Sequence, residues 1–398
     1  MKVLLIECGV AQTRGALLVA DQPMAFFFAP ARGDEAKPRK AISGDVKMGR
    51  VRRVVPAIGG AFVDIGDEED ALLSFSETSP KPNEGAAIAV RVRRPAIGTK
   101  GAVVTMDWRK SLSARDIQEI EGNISGAKPG DCLSAAVDAS VEIARQAKGA
   151  AIKINDATAA AALKQALPTA QVEIEQDLFD HYDGDAALEE ALEHVVSLPG
   201  DGRLIFDQTE GPCVIDVDAG ALAGTASQSV NDKTNSLAAS RLYGELSRRA
   251  IGGRIIVDFL PPSSGASSKA LLQMLREQVA KPLGGRAGNL SKDGLFDMTL
   301  PKTSASLLER ATRPAGSQWP VSGRQFSLDW IAKEAIRRLE QALSKASSAR
   351  PKLVVSSDLS DYLNQRPEWT DRLAEKYTRR FSIDIDQQKS ANTYDLAE

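Results

Sequence analysis

Two short apolar stretches that end in aspartate decide the fold expected for this chain. The first is Val214-Ile215-Asp216-Val217-Asp218, and the second is Arg254-Ile255-Ile256-Val257-Asp258-Phe259-Leu260. Each is a β-branched run bounded by glycine or proline, a pattern that predicts a buried strand. Because side chains alternate along a strand, Asp216 and Asp218 project from the same face.

The segment between the two stretches has the length of a crossover connection. It contains about 35 residues, and residues 235–249 predict a helix with one apolar and one basic face, the latter formed by Arg241, Arg248 and Arg249. Such a crossover brings two strands side by side in one sheet. We therefore expect Asp216 and Asp258 to converge at one edge of that sheet.

Converging carboxylates indicate a cation site. Two carboxylates that lose hydration together repel each other, and a divalent cation relieves that cost. A hard cation with oxygen ligands, magnesium before others, suits such a site. The alternative is that these acids cap strand ends or pair with arginines, and the strand pattern alone does not separate the two interpretations.

Composition places the chain among soluble proteins of several domains. It has 398 residues, of which 43% are hydrophobic and 26% charged, and this length predicts two to four domains. The net charge of -3 excludes a chain that is polybasic as a whole. Any surface for nucleic acid must therefore come from local clustering of basic residues.

Cysteine and histidine usage argues against a disulfide framework and against zinc. The three cysteines are Cys8, Cys132 and Cys213, without a CxxC pair, and the only histidines are His181 and His194. This usage fits a reducing compartment and predicts a cytoplasmic protein. The first residues do not resemble a signal peptide, and the absence of an apolar run of about 18 residues predicts no membrane span.

A cluster of short strands between residues 44 and 105 predicts a small barrel of the OB type. Phe62 is a candidate platform for base stacking, and single-stranded nucleic acid suits a barrel with basic strands and an aromatic residue. The alternative is a solvated basic edge that prevents strand-to-strand aggregation. RNA binding is favoured because the charge clusters here in a nearly neutral chain. The basic residues are Lys47, Arg50, Arg52, Arg53, Arg91, Arg93, Arg94 and Lys100.

The remaining segments predict further α/β structure and two linkers. Residues 3–20 form a predicted hairpin, and the helices and strands predicted between 111 and 195 suit the same sheet. Polar residues 31–41, including Lys37-Pro38-Arg39-Lys40, and residues 311–325 predict linkers. An amphipathic helix over 326–347 opens a small C-terminal α/β domain, and its apolar face suits either a homodimer or packing within that domain.

Taken together, the motifs of this chain resemble those of the ribonuclease E/G family of bacterial endoribonucleases. In the barrel they are Gly49-Arg50-Val51, Gly60-Ala61-Phe62-Val63-Asp64-Ile65-Gly66 and Thr99-Lys100-Gly101-Ala102. Around the acidic strands they are His181-Tyr182, Leu198-Pro199, Asp207-Gln208-Thr209-Glu210, Ile215-Asp216-Val217-Asp218, Thr234-Asn235, Gly252-Gly253 and Ile256-Val257-Asp258-Phe259.

The resemblance implies an α/β protein of four domains. An OB-fold RNA-binding barrel (41–110) would be inserted in an RNase H-like α/β domain (1–40 and 111–195). A DNase I-like α/β catalytic domain (196–312) and a small C-terminal domain (325–398) would follow.

The resemblance also implies a magnesium-dependent endoribonuclease that cuts single-stranded RNA in RNA processing or decay. Asp216 and Asp258 match the two magnesium-binding aspartates. Asp218 is the third catalytic candidate, at a position where the family usually has an asparagine that places the scissile phosphate or the attacking water. Residues of the barrel are expected to contact RNA: Phe62 and Lys100 by the resemblance, and Lys47, Arg50 and Arg52 by their charge.

Several departures from the family pattern leave other functions open. The CxxC pair of the family's zinc-link is missing, Leu72 replaces its second barrel aromatic, and no segment resembles its sensor of the RNA 5′-monophosphate. One alternative is a catalytically weak or inactive RNA-binding protein derived from the family. Another is a magnesium-dependent DNA nuclease or phosphatase, because acids at strand ends are common in phosphoryl-transfer sites. The barrel argues against the second alternative.

Overall fold

The computed structural model describes most of the chain. The described residues are 1–32, 34, 41–75, 81–97, 100–110, 112, 114–134, 138–209, 211–220, 228–315, 323–345, 350–377 and 381–397. Parts of several sequence predictions fall outside them. These include the linker at Lys37–Lys40, the motif residues Thr99 and Glu210, residues 316–322 of the second linker, and residues 346–347 of the predicted C-terminal amphipathic helix.

The elements of the first half are as follows in chain order. The chain begins with β1 (Lys2–Cys8), β2 (Gln12–Val19) and β3 (Gln22–Pro30). There follow β4 (Val46–Val55), β5 (Gly60–Asp64), β6 (Ala71–Ser74), β7 (Ala87–Arg94), β8 (Val103–Thr105) and α1 (Ala114–Ile124). Next are α2 (Ala139–Gln146), β9 (Ala151–Ile154), α3 (Ala157–Ala166), β10 (Val172–Ile174), α4 (Leu178–His181) and α5 (Gly184–Glu190).

The elements of the second half begin with the acidic strands. They are β11 (Val195–Ser197), β12 (Arg203–Gln208), β13 (Cys213–Asp218), α6 (Gln228–Arg248), β14 (Gly253–Asp258), α7 (Gly265–Met274), β15 (Arg286–Leu290) and β16 (Leu295–Leu300). The last are α8 (Leu307–Ala311), β17 (Thr312–Pro314), β18 (Arg324–Phe326), α9 (Leu328–Lys345), β19 (Lys352–Val355), α10 (Ser357–Asn364), α11 (Pro367–Lys376), β20 (Ser382–Ile385) and β21 (Tyr394–Ala397).

The chain forms two compact units. One consists of residues 1–35, 138–301 and 306–398, and the other of residues 36–137 and 302–305. The mixed α/β class and the barrel predicted from sequence are confirmed. The RNase H-like and DNase I-like assignments and the division into four domains stay predictions.

The larger unit contains a five-stranded sheet in the order β10-β9-β1-β2-β3. Strands β1, β2 and β3 are antiparallel neighbours, whereas β9 runs parallel to both β1 and β10. The predicted hairpin is therefore correct, and β9 and β10 are the strands between residues 111 and 195 that join its sheet. Strand β3 was not predicted.

The same unit contains a six-stranded sheet in the order β11-β12-β13-β14-β16-β15. Its parallel pair, β13 and β14, occupies the centre and is connected through helix α6, as expected. The apolar residues of this pair point to one face, where they pack against α6, α7 and the π-helical turn Leu275–Ala280. Buried members of this core include Ile215, Val257, Leu242 and Leu275. The opposite, solvent-facing side is called the open face below.

The smaller unit is a closed barrel in the order β4-β5-β6-β8-β7. Its boundary differs from the predicted one, because the unit extends to Val137 rather than ending near residue 110. Helix α1 packs its Ile120 against Met48 of β4 and Trp108, in a cluster that also includes Leu133. The apolar face of this helix therefore packs against the barrel.

The C-terminal segment forms a three-stranded sheet in the order β20-β19-β21, with α9, α10 and α11 packed on it. The apolar face of α9, including Ala335, Ile336 and Leu339, is buried in this core. Of the two roles predicted for that face, packing within its own domain is the one observed. None of the helices in the described ranges is long and apolar enough to cross a membrane.

Candidate functional site

The open face of the six-stranded sheet carries the acidic residues predicted from sequence. Asp216 of β13 and Asp258 of β14 are direct neighbours in the register of the parallel pair. Both side chains are exposed, whereas the residue directly before each of them on its strand is buried in the core. The predicted convergence is confirmed, at the carboxyl ends of two central strands.

The electrostatics of Asp216 reflect this proximity. Partial burial of its carboxylate, and next the negative charges of Asp258 and Asp218, raise the pKa of Asp216 above its ordinary value. Like charges that lie directly opposite on neighbouring strands are destabilising. We call Asp216 and Asp258 the carboxylate pair.

No described lysine, arginine or histidine side chain forms an ion pair with either member of the carboxylate pair. Over the described ranges, no three histidine, cysteine, aspartate or glutamate side chains are grouped to hold a metal ion. A cation here would take one or two carboxylates from the protein and its other ligands from water or phosphate. That donor set fits magnesium, which keeps several waters and binds through one or two carboxylates plus substrate phosphates.

Asp218 differs from the carboxylate pair because both of its carboxylate oxygens are engaged. Its Oδ1 accepts a hydrogen bond of 2.8 Å from the backbone N–H of Gly220, and its Oδ2 pairs with the guanidinium of Arg203. The Gly220 N–H, and next Arg203, lower the pKa of Asp218. The alternative reading of these acids, pairing with an arginine, is thus correct for Asp218 and not for the other two.

The first turns of α6 hold the backbone that follows Asp258. The buried side chain of Asn235 donates a hydrogen bond of 2.8 Å to the Leu260 carbonyl and accepts one of 3.1 Å from the Leu260 N–H. Asp232 accepts hydrogen bonds from the Ser263 N–H and from the Ser267 hydroxyl. Asn235 of the Thr234-Asn235 motif therefore fixes the backbone that directly follows β14.

A histidine and a further aspartate lie beside the site and were not singled out as site residues from sequence. Asp207 lies on the open face of β12, and its Oδ1 is 3.0 Å from Nε2 of His194. Its charge adds a small share to the raised pKa of Asp216. The motif that begins at Asp207 offers a sequence signal for this residue, because the alternation of side chains along β12 places Asp207 on the same face as the acids of β13.

The basic face predicted for the crossover helix is largely buried. Glu245 is 1% exposed and binds Arg241 and Arg248 of its own helix and Arg249 directly after it. Arg249 also donates hydrogen bonds to the carbonyls of Glu190 and Glu193. Only Arg241 remains half-exposed, so this helix offers no basic surface of the predicted kind.

The barrel presents Phe62 on its outer surface. Phe62 is half-buried between Arg53 of β4 and Leu72 of β6, its register neighbours, while Ala61 and Val63 point into the barrel core. The guanidinium carbon of Arg53 lies 5.4 Å from the centre of the Phe62 ring.

A bulge in β4 turns successive arginines outward next to this ring. The register between β4 and β5 shifts between Val51 and Arg53, and both Arg52 and Arg53 are exposed. Arg50 is exposed as well, and Arg52 pairs with Asp64. We call the surface formed by Arg50, Arg52, Arg53 and Phe62 the basic strand surface. Lys100 is also exposed in this unit.

Lys47 is not part of an exposed surface, contrary to the sequence prediction. It is 6% exposed, and its Nζ lies 3.7 Å from Oδ1 of the buried Asp67. The reason is the register of β4: Lys47 lies opposite Val90 of β7, a fully buried member of the barrel core. The Lys47 side chain therefore lies on the inner side of the strand, where it meets Asp67.

Comparison with known proteins points to one family. The model of the ribonuclease E/G family matches residues 72–303, which is more than half of the chain. The matched segment contains the carboxylate pair, Asp218 and Lys100, whereas Phe62 precedes it.

Individual relatives have low sequence identity to this chain, but their alignments with it are long. The chain is 23% identical over 432 residues to ribonuclease G of Haemophilus influenzae, covering 83% of this chain and 86% of the relative. It is 24% identical over 371 residues to ribonuclease G of Escherichia coli K12, and the alignment covers 69% of this chain and 75% of the relative. It is 27% identical over 188 residues to ribonuclease E of the same organism, covering 47% of this chain and 18% of the relative.

Proposed function

The chain belongs to the ribonuclease E/G family, and on that premise we propose that it is a magnesium-dependent endoribonuclease that cleaves single-stranded RNA. The observation that carries the proposal is the carboxylate pair: two exposed aspartates in register on adjacent strands, with no cationic partner among the side chains that the structure describes. The names of its relatives, ribonucleases G and E, support RNA as the substrate. The three free cysteines suit the reducing cytoplasm expected from sequence.

In this proposal Asp216 and Asp258 hold the cation. When bound, a magnesium ion would supply positive charge to the scissile phosphate and lower the pKa of the attacking water. Asn235 keeps Asp258 in place by fixing the backbone of Leu260. Asp218 stands where a group that places the phosphate or the water is expected, with its charge balanced by Arg203.

The barrel would supply RNA affinity. The basic strand surface combines arginines, which neutralise phosphates and release counterions, with an aromatic ring on which a base can stack. Lys100 would add a further phosphate contact. Lys47 is left out of this proposal, because its ammonium group is buried with Asp67.

We expect Phe62→Ala to lower the affinity for single-stranded RNA by about 1–3 kcal/mol, because one stacked base would be lost. The melting temperature should change little, since the ring lies outside the barrel core. Fluorescence anisotropy with a labelled single-stranded RNA and thermal unfolding of the same preparation measure the two quantities.

The neighbouring Val63→Ala is the matched control. Val63 is 0% exposed, so its truncation should cost roughly 1.5–3 kcal/mol of stability while leaving RNA affinity nearly intact. A large drop in melting temperature with unchanged RNA affinity in Phe62→Ala would leave the stacking role without support.

A divalent cation should raise the stability of the protein. A ligand present at ten times its dissociation constant stabilises the native state by about 1.4 kcal/mol. We expect magnesium or manganese to raise the melting temperature of the wild type, and Asp258→Asn to lose most of that increase because one ligand is removed. Equal increases in the two proteins would place the bound cation elsewhere.

Without metal, Asp258→Asn should itself be slightly more stable than the wild type at neutral pH. The pKa of Asp216 is raised in the native state, so its ionisation disfavours folding as the pH rises through that value. Removal of the facing charge of Asp258 should raise the free energy of unfolding by roughly 0.2–1 kcal/mol. The difference should vanish in acid below the ordinary aspartate pKa of 3.8, where the carboxyl groups are protonated in both states. Thermal unfolding in EDTA across this pH range measures it.

Cleavage should not depend on the chemical state of the RNA 5′ end. A phosphate pocket needs clustered donors, and residues 111–150 offer only Arg115, Lys128, Arg145 and Lys148. These four side chains are exposed and divided between the two units. RNAs that differ only in a 5′-monophosphate, triphosphate or hydroxyl should react at similar rates. A tenfold preference for the monophosphate, equal to about 1.4 kcal/mol, would contradict this expectation.

A non-catalytic RNA-binding protein is the second candidate. The aspartate at position 218 and the absence of a CxxC zinc-link in the sequence favour it. The carboxylate pair argues against it, because no cationic side chain in the described residues forms an ion pair with it. Metal-dependent cleavage of RNA separates the two. Without the zinc-link, a homodimer would need another interface.

A further inference from the structure

Three carboxylates lie on the open face at the ends of the central strands, and they are not equivalent. Asp216 and Asp258 have no ion-pair partner among the described side chains, whereas Asp218 is bound through both oxygens. Arg203 is the direct neighbour of Asp218 in the antiparallel register of β12 and β13. The pairing is therefore built into the sheet.

The position of Arg203 leaves part of its guanidinium accessible. Its side chain is 49% exposed and lines an open cleft of about 400 Å³ together with Ser197, Leu198 and Asp201. The cleft lies beside Asp218, because Gly220 belongs to its lining. A phosphate that approaches the carboxylate pair from this side would meet the Arg203–Asp218 pair first.

The charge of Asp218 suggests a function for the Arg203–Asp218 ion pair. Asp216 and Asp218 lie on one face of the same strand, about 7 Å apart between alternate residues, a distance at which a unit charge still acts. An ionised Asp218 without a partner would add a third negative charge beside the cation site. That charge would strengthen cation binding and repel the phosphate backbone of RNA.

We propose that Arg203 is a positioning residue that holds Asp218 away from the carboxylate pair and offsets part of its charge. The cation site then has two protein carboxylates, and the negative charge that RNA meets next to it is reduced. This inference rests on the proposed function, since it concerns the cation and the RNA that Asp216 and Asp258 would serve.

Three variants test the inference: Arg203→Gln, Asp218→Asn and the combination of both. Magnesium and manganese are titrated in the absence of RNA, and the midpoint of thermal stabilisation gives the metal affinity. We expect Arg203→Gln to bind metal about three- to tenfold more tightly, because the freed Asp218 becomes an additional ligand or charge. Asp218→Asn should bind metal more weakly by a similar factor, because Arg203 is left as an uncompensated cation.

The double variant carries the same net charge at this position as the wild type. Its metal midpoint should therefore return to within about twofold of the wild-type value. In single-turnover assays the double variant should cleave RNA faster than Arg203→Gln, and RNA affinity in EDTA should be lowest for Arg203→Gln. A purely structural ion pair would instead lower the melting temperature of every variant without opposite shifts in metal affinity.

Two outcomes identify which claim fails. If the wild type binds metal and cleaves RNA, but the three variants share its metal midpoint, the role of Arg203 is refuted while the proposed function stands. If the wild type shows neither metal-dependent stabilisation nor cleavage, the proposed function and this inference are both overturned.

Discussion

Asp216→Asn and Asp258→Asn are each expected to abolish RNA cleavage while leaving RNA binding nearly unchanged. Each change removes the charge of one of the two carboxylates proposed to hold the cation. Loss of the cation should remove several kcal/mol of transition-state stabilisation, which corresponds to roughly 1,000-fold in rate. Neither residue belongs to the barrel unit that would bind RNA. Single-turnover cleavage at fixed magnesium and anisotropy with the same RNA measure the two effects.

Asp297→Asn is the matched control for these variants. Asp297 is an exposed aspartate on the same open face, in β16 opposite Ile256 of β14. It is not a member of the carboxylate pair, so cleavage should stay within about threefold of the wild type. Wild-type rates in both Asp216→Asn and Asp258→Asn would refute the assignment of the site.

Glu245→Gln should produce the largest loss of stability among the changes considered. Glu245 is buried with Arg248 and Arg249, and its neutralisation removes the buried carboxylate that both guanidinium groups share, leaving Arg248 with the exposed Glu190. Breaking a buried ion pair on one side costs about 3–5 kcal/mol. Chemical unfolding monitored by circular dichroism gives the change in free energy.

The exposed partner of Arg248 provides the comparison. The carboxylate of Glu190 lies 3.4 Å from Arg248 and its side chain is 66% exposed, so Glu190→Gln should cost less than about 1 kcal/mol. Similar losses of unfolding free energy in Glu245→Gln and Glu190→Gln would mean that the burial of Glu245 with its arginines contributes little to stability.

The parallel strands and the carboxylate pair were predictable because their signals are local. A β-branched run fixes each strand, alternation fixes the face of each aspartate, and the length of the connection fixes strand adjacency. The register that places Asp216 opposite Asp258 follows from burying Ile215 and Val257 on the same face.

The states of individual charged side chains were not predictable, because they depend on partners far away in sequence. Lys47 resembles its neighbouring arginines in the sequence, yet its register opposite Val90 places it on the inner side of the barrel, where it pairs with Asp67. Arg248 and Arg249 appear as a basic helix face until the segments that contact them are known. Arg203 carries no functional signal in the sequence, because only the register of β12 against β13 brings it opposite Asp218.

The central claim is that the carboxylate pair serves cation-dependent cleavage of RNA. The most direct measurement is incubation of the wild-type protein with a uridine-rich single-stranded RNA, once with magnesium and once with EDTA, followed by separation of the RNA by length. Internal cleavage that requires magnesium and is absent in EDTA is the expected result. Binding of the RNA without cleavage in either condition, or cleavage that EDTA does not inhibit, would contradict the claim.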